Sequence, residues 1–344
     1  MSEPLNAAVI GVGRMGQHHV RNYAKIHGYS LTAVVDPNEE NANKVANEHN
    51  CKPFTSIDAL LQSGLKIHAA SIAVPTIHHR TTAEQLLTAN IDVLIEKPLA
   101  PTVEDCQAII DLAKKHNRIL QVGHTERFNP IYRALKKYKL KPAFIEVQRI
   151  SPMTFRSIDV GVTLDMMIHD LDIINDLVRQ PVTDVRAVGV TVIGEHEDIA
   201  NARLTFANGC VVNLTASRLA LRTERKMRLF SPSAYVSLDY QKKTGSVIQK
   251  TANETELALV RQEVKSGNIT DLMEINYQEL VNYESLTIED IEPVRAELEN
   301  FQHAIRTRTS PEVPGEDGLA AVHLATQIAQ RISEHKWEGI NGLV

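Results

Sequence analysis

The sequence predicts an α/β chain in two parts, a doubly wound parallel sheet followed by an α+β domain built on an open, mostly antiparallel sheet. Three observations predict it. Apolar strand runs alternate with helical patterns over roughly the first 124 residues. A glycine-rich turn stands between the first strand and the first helix. Beyond Phe144 the pattern changes to alternating polar and apolar residues broken by tight turns.

Taken in order, Ala7-Ala8-Val9-Ile10-Gly11 is a buried-strand run, followed by a helical stretch from Met15 to His27 and a second strand from Leu31 to Asp36. Further apolar runs occupy Ala69 to Val74, Asp92 to Ile95 and Ile119 to Val122, with helical patterns between them. The clearest helix is Thr102 to His116, where Thr102 and Asp105 have the spacing of an N-terminal cap. Strands alternating with helices mean βαβ units, and right-handed crossovers then build a parallel sheet with its ligand crevice at the strands' carboxyl ends.

In the second half, Ala202, Leu204 and Phe206 alternate with Arg203 and Thr205, then Asn208-Gly209 turns the chain into Cys210, Val212, Leu214 and Ala216. Two alternating runs around Asn-Gly read as a hairpin with one wet face. Met227 to Phe230 and Tyr235 to Tyr240 flank a Ser-Pro-Ser turn, and Phe144 to Ile150 and Val185 to Val192 supply further strands. Residues 248–290 read as extended excursions from the sheet. Helical patterns at Val294 to Arg306 and Gly318 to Glu334 finish the chain. The expected division is 1–124, 125–315, and 316–344 as a C-terminal helix packing back on the first part.

The 344 residues suffice for two ordinary domains. A net charge of −5 offers no global basic field to nucleic acid or acidic lipid. Cys51, Cys106 and Cys210 lie far apart with neither metal-ligand nor paired spacing, which fits a reducing cytoplasm. The first apolar run is too short to span a bilayer and lacks a basic leader, so neither signal peptide nor membrane helix is expected.

Gly11-Val12-Gly13-Arg14-Met15-Gly16 reads G-x-G-x-x-G, and it follows a strand and opens a helix, the context a dinucleotide fingerprint requires. Gly11 permits the tight turn, Gly13 lets a pyrophosphate approach the backbone, and Gly16 lets helix and strand pack closely. The helix N-terminus faces the phosphate, with Arg14 and Met15 beside it. Asp36 stands twenty residues after Gly16 at the end of the second strand, where a carboxylate accepts from ribose hydroxyls and repels a 2′-phosphate. The first domain therefore reads as a Rossmann domain for NAD rather than NADP.

Two pieces carry the candidate chemistry. Glu96-Lys97-Pro98 ends a strand of the parallel sheet, so Lys97 points into the crevice. An ammonium there can donate to a substrate hydroxyl or, once burial lowers its pKa, act as base; the alternative is a lysine paired with Glu96. In Gly161 to Asp172, Leu164, Ile168 and Leu171 have helical spacing, and Asp165, His169 and Asp172 stand at i, i+4 and i+7 on one face. That row reads as Asp165 orienting His169 and stabilising its charged form, with His169 taking the hydroxyl proton. No further His/Cys cluster has ligand spacing, so no metal is expected.

The Gly11–Gly16 loop, Glu96-Lys97-Pro98, Gly123-His124 with Arg127-Phe128-Asn129-Pro130, and Gly161 through Asp165, His169 and Asp172, in this order, resemble the glucose-fructose oxidoreductase/inositol dehydrogenase (Gfo/Idh/MocA) family over nearly the whole chain. The resemblance implies NAD(P)-linked oxidation of a sugar hydroxyl, homodimers or homotetramers formed through the second sheet, and catalytic positions at Lys97, Asp165 and His169, with the base shared between Lys97 and His169. It implies further cofactor contacts from Val74, Pro75, His78, Glu96 and Lys97. His124, Arg127 and Asn129 follow the last parallel strand and read as contacts to substrate or nicotinamide.

Pro152 to Arg156, Ser217-Arg218 and Arg225-Lys226-Met227-Arg228 are similar to the family's UDP-N-acetylglucosamine 3-dehydrogenases. That closer resemblance implies a 3-keto nucleotide sugar handed to an aminotransferase for the 2,3-diamino sugar of lipid A. Arg156 and Arg218 read either as ligands of the diphosphate or as structural charges. Arg222, Arg225, Lys226 and Arg228 belong to the same cluster and could also include diphosphate ligands, because guanidinium groups bind phosphate bidentately, but they read first as a charged sheet face or a subunit interface. The rivals are a dehydrogenase of a free sugar or inositol, a glycosidic-bond cleavage using NAD transiently, and a catalytically silent NAD(H) sensor.

Overall fold

The structure, a computed structural model, describes residues 3–154, 160–268 and 280–335. Six parallel strands form the first sheet: β1 (Leu5–Ile10), β2 (Tyr29–Val35), β3 (Lys52–Phe54), β4 (Ala69–Ile72), β5 (Asp92–Glu96) and β6 (Leu120–Gly123). Their order, β3-β2-β1-β4-β5-β6, is doubly wound and reverses between β1 and β4, which puts a crevice at the carboxyl ends of those strands. Helices α1 (Arg14–Tyr23), α2 (Glu39–His49), α3 (Ile57–Gln62), α4 (His79–Thr88) and α5 (Val103–Lys115) make the crossovers. Their starts follow local chemistry: Asn38 accepts from the Asn41 amide and Thr102 from the Asp105 amide.

After α6 (Pro130–Leu135) and β7 (Phe144–Ile150), one π-helical turn at Thr163–Met167 runs into α7 (Ile168–Val178). The second sheet adds β8 (Val182–Val190), β9 (Ile199–Phe206), β10 (Val211–Ser217), β11 (Glu224–Ser231), β12 (Ala234–Asp239), β13 (Thr244–Lys250) and β14 (Val281–Ser285), in the order β14-β13-β12-β11-β7-β10-β9-β8. All neighbours are antiparallel except β7 and β10, which run parallel. Inward residues such as Ile145, Val147, Leu214, Met227 and Leu229 join Leu171 and Ile174 of α7 in one core.

The two terminal helices tie the halves together. The Pro293–Thr307 helix, grouped with the second domain from sequence, buries Leu298, Phe301 and Ile305 against Val9, Val20 and Tyr23 of the first. The Gly315–Glu334 helix places Ala321 and Val322 in the first domain's core and Leu324, Ala325 and Ile328 in the second's.

The reading of residues 248–290 as extended excursions is corrected in part. Glu254–Lys265 is a helix with a complete capping box from Asn253 and Glu256. It buries none of its residues, and Leu259 and Val264 are exposed. The box was legible; what obscured the helix was the want of an apolar stripe facing a core. Residues 269–279 lie outside the described residues.

Candidate active site

The glycine loop shows why each glycine is there. Gly11 has φ +83°, and a Cβ would sit 2.7 Å from the Ala73 carbonyl oxygen; a Cβ on Gly16 would sit 1.9 Å from the Gly11 oxygen. Those two are required by backbone packing. Gly13 is different, because a Cβ there meets nothing within 4 Å. Space held open at the N-terminus of α1 is what a pyrophosphate needs. The Asp36 carboxylate fixes this loop, accepting from the Val12 amide at 3.0 Å, the Asn38 amide at 3.0 Å and the Asn41 side chain at 3.3 Å. It remains partly open at the end of β2. The residues present therefore fit a dinucleotide.

The loops after β4 and β5 form the next wall of the crevice. His79 is buried between them, one ring nitrogen 3.0 Å from the Val74 oxygen and the other 3.0 Å from the Pro98 oxygen. Val74 is half-buried, while Pro75 and His78 are exposed at the two ends of the short 3-10 turn Thr76–His78 before α4. Sequence reasoning chose His78 and missed its neighbour, whose burial shows only once the two loops are brought together.

Lys97 stands at the carboxyl end of β5. Its Nζ donates to the Asp165 carbonyl oxygen at 2.7 Å and lies 3.3 Å from Asp165 Oδ1. Asp165 lies in the π turn. The Asp165 side chain is turned to Lys97, and His169 Nδ1 is buried with no hydrogen-bond partner among the described residues. The expectation that Asp165 orients His169 and stabilises its charged form is thereby corrected: Asp165 holds Lys97. Burial holds the His169 ring well below its ordinary pKa, and the Lys97 and Arg149 charges add to the effect. The imidazole is neutral, with a lone pair to offer. Arg149, buried beside it, is engaged by both Asp170 oxygens at 2.8 Å.

Glu96 was expected to touch the cofactor. Its carboxylate is instead buried and 2.7 Å from His19 Nε2 of α1. Burial alone would raise its pKa, but the hydrogen bond and charge of His19, and then Lys97, bring it down. Glu297, fully buried on the Pro293–Thr307 helix, completes a group whose three ligand-type atoms lie within 4.8 Å of one another. Burial and then the Glu96 charge hold the Glu297 acid form well above the ordinary carboxyl range. The pair thus shares one negative charge and one proton behind the Lys97 strand.

The folded protein keeps a proton on Glu297 that the unfolded chain releases. That contribution to stability is complete below the ordinary carboxyl value of 4.5 and is lost as pH rises toward the raised value. Glu297→Gln removes the titration. The variant's stability relative to wild type should therefore climb with pH, by at most about 1.4 kcal/mol per pH unit, and level off in acid. Urea melts from mildly acidic to alkaline pH measure this; a pH-independent difference would mean Glu297 is ionised in the folded protein.

Four expected substrate contacts are placed elsewhere. Arg127 is 2% exposed, with Nε 2.9 Å from Asp172 Oδ2, Nη1 2.5 Å from Asp176 Oδ2 and Nη2 paired with Asp317. Asn129 caps α6, accepting from the Ile131 amide, and its Nδ2 donates to Glu126. His124 is 0% exposed; burial, then Arg127 and Lys97, push it down to about 3. Arg218 is 4% exposed, 2.6 Å from Asp198 Oδ1 and donating to the Val160 carbonyl. Asp198 in turn accepts three amides from residues 192–194. Arg127, Asn129 and Arg218 are thus fixed by protein partners, while His124 is buried close enough to Lys97 to feel its charge. Arg156 lies outside the described residues.

Comparison with known proteins matches this architecture. Residues 5–124 match the oxidoreductase family with the NAD-binding Rossmann fold, and residues 148–233 match the GFO/IDH/MocA C-terminal domain. The UDP-N-acetylglucosamine 3-dehydrogenase of Acidithiobacillus ferrooxidans is 38% identical over 249 residues, 72% of this chain and 78% of its own. The chain belongs to the Gfo/Idh/MocA oxidoreductase family. A solved structure of that Acidithiobacillus ferrooxidans enzyme superposes with a TM-score of 0.84 at 31% identity, covering 97% of this chain and 99% of its own. The scyllo-inositol 2-dehydrogenase (NAD(+)) of Bacillus subtilis is 27% identical over 63% of this chain and 68% of its own. As a family member the chain is an oxidoreductase whose first domain binds NAD. Among the described residues no helix is long and apolar enough to cross a membrane.

Proposed function

We propose that this protein oxidises the 3-hydroxyl of UDP-N-acetylglucosamine to the 3-keto sugar, with NAD as acceptor. The observation that carries the chemistry is the grouping of Lys97, clamped as a donor by Asp165, with His169, neutral and with no partner at Nδ1 among the described residues, at the mouth of the dinucleotide crevice. The substrate is supported by the relative 38% identical to this chain. NAD, when bound, accepts the hydride of the carbinol carbon. The Lys97 ammonium donates to the hydroxyl oxygen and steadies the charge that develops there, which is worth most where water is excluded. The His169 lone pair takes the hydroxyl proton. The cations that kept the ring neutral then favour passing that proton on to solvent. Asp165 aligns Lys97 through both its carbonyl and its carboxylate.

In this proposal the enzyme works in the cytoplasm and hands its ketone to an aminotransferase, giving a 2,3-diamino sugar for lipid A. It also acts as a homodimer or homotetramer through the face of the second sheet opposite α7. That face carries Phe144, Phe230 and Tyr235, tilted against one another with ring centroids 5.7 and 4.9 Å apart, an apolar patch of the kind interfaces cover.

The test is NADH absorbance on mixing the protein, NAD and UDP-N-acetylglucosamine, with glutamate and a matching aminotransferase drawing off the ketone. NADH formed with the nucleotide sugar and not with myo-inositol or glucose supports the proposal. Turnover of a free polyol alone would replace it with the second reading, an inositol-type dehydrogenase, which the Bacillus subtilis relative favours.

A further inference from the structure

With Arg218 held by Asp198, a different guanidinium stands near His169. Strand β11 alternates Arg225, Met227 and Leu229 on one face with Lys226, Arg228 and Phe230 on the other. Met227 and Leu229 are buried in the second domain's core, so Arg225 points to that same helix-covered side. It stands opposite Arg149 in the register with β7, and Arg149 is bound to Asp170, the neighbour of His169. At this first turn of the strand the cover ends. The Arg225 side chain is 47% exposed where Met227 is 1% exposed.

Its nearest carboxylate, Glu126 Oε1, is 3.6 Å away, beyond hydrogen-bond reach. Glu126 already accepts from Asn129 at 2.9 Å and from Arg149 at 3.3 Å. A half-exposed contact of this length holds the guanidinium weakly. The Arg225 charge also acts on His169, after burial, Lys97, Arg149 and His124, which places it near the reacting centre without touching it.

We propose that Arg225 is the anion-binding residue of the substrate pocket and takes the diphosphate of a nucleoside diphosphate sugar. This rests on the function proposed above. The diphosphate of such a sugar is bonded to C1, two ring carbons from the 3-hydroxyl. A cation beside His169 but one strand removed is therefore where the phosphate falls when C3 meets Lys97 and His169. The planar guanidinium fork matches two phosphate oxygens at once, which an ammonium does not. From sequence Arg225 is one of six cations that could include diphosphate ligands, with a charged sheet face or interface as the favoured reading; the alternation of β11 separates it from Lys226 and Arg228 on the opposite face.

The experiment is calorimetric titration of UDP into the NAD-loaded full chain, with KM and kcat for UDP-N-acetylglucosamine measured beside it. Arg225→Gln should weaken UDP and raise KM on the order of tenfold to a hundredfold, with kcat changed less than about threefold. Arg225→Lys, which keeps the charge and loses the fork, should fall between. NAD titration verifies that each variant is folded, and if the glutamine variant fails that check the lysine variant decides by the same UDP titration. Equal UDP affinity in wild type and variant overturns the inference even where wild type turns the nucleotide sugar over. UDP binding that depends on Arg225, without NADH formation from UDP-N-acetylglucosamine, overturns the proposed function and leaves the anion site standing. No UDP binding by wild type overturns both.

Discussion

His169→Ala should lower kcat by roughly a hundredfold to ten-thousandfold, the range general-base removal produces, while NAD affinity stays within about twofold. Lys97→Ala should lose a comparable factor, because the cation placed to meet the developing alkoxide is then gone. The double variant should be little worse than either single one, as expected of residues acting as one unit. The pH profile carries a second check. His169 is neutral because burial and then Lys97 and Arg149 hold its pKa well below 6.5. The acid limb of kcat/KM should therefore fall below that value rather than at it. Variants that turn over like wild type while binding NAD would remove both residues from the chemistry.

Arg127→Met should destabilise the fold by about 3–5 kcal/mol, the cost of leaving buried carboxylates without their cation. Asp172, Asp176 and Asp317 all converge on this one guanidinium, from α7 and from the terminal helix that joins the two domains. Asp172 already stands at about 7, raised by burial against the pull of Arg127. Without Arg127 it should take up a proton at neutral pH, so the variant should recover stability as pH falls. Asp172→Asn added to Arg127→Met should restore part of the loss for the same reason. Urea denaturation of the two variants measures it, and a loss under about 1 kcal/mol would show that Arg127 is not the clamp described.

Arg127 also shows what the sequence made legible and what it did not. The glycine loop was readable because its constraints are local: Gly11, Gly13 and Gly16 act within one turn. Lys97 was readable because the end of a parallel strand fixes where a side chain points. Strand and helix types followed from period, and the Asn208-Gly209 hairpin from its turn chemistry. An arginine beside a crevice, by contrast, reads the same whether its anion is a substrate or an aspartate far along the chain. The partners of Arg127 are 45 to 190 residues away, and that of Arg218 is 20 residues back, beside the start of the neighbouring strand. Glu297 reaches the back of Lys97 only because its helix crosses to the first domain. Asp165 is engaged by Lys97, 68 residues earlier in the chain, a pairing that a pattern of apolar spacings does not reveal.

The central claim is hydride transfer from C3 of the nucleotide sugar to NAD across Lys97 and His169. The most direct test uses UDP-N-acetylglucosamine carrying deuterium at C3 only, with an aminotransferase drawing off the ketone and mass spectrometry reading the reduced cofactor. The account predicts one deuterium per NADH formed, and none when the label is placed at C4 or C2. Reduced cofactor without deuterium from C3 would contradict the claimed carbon, and no reduced cofactor at all would contradict the substrate.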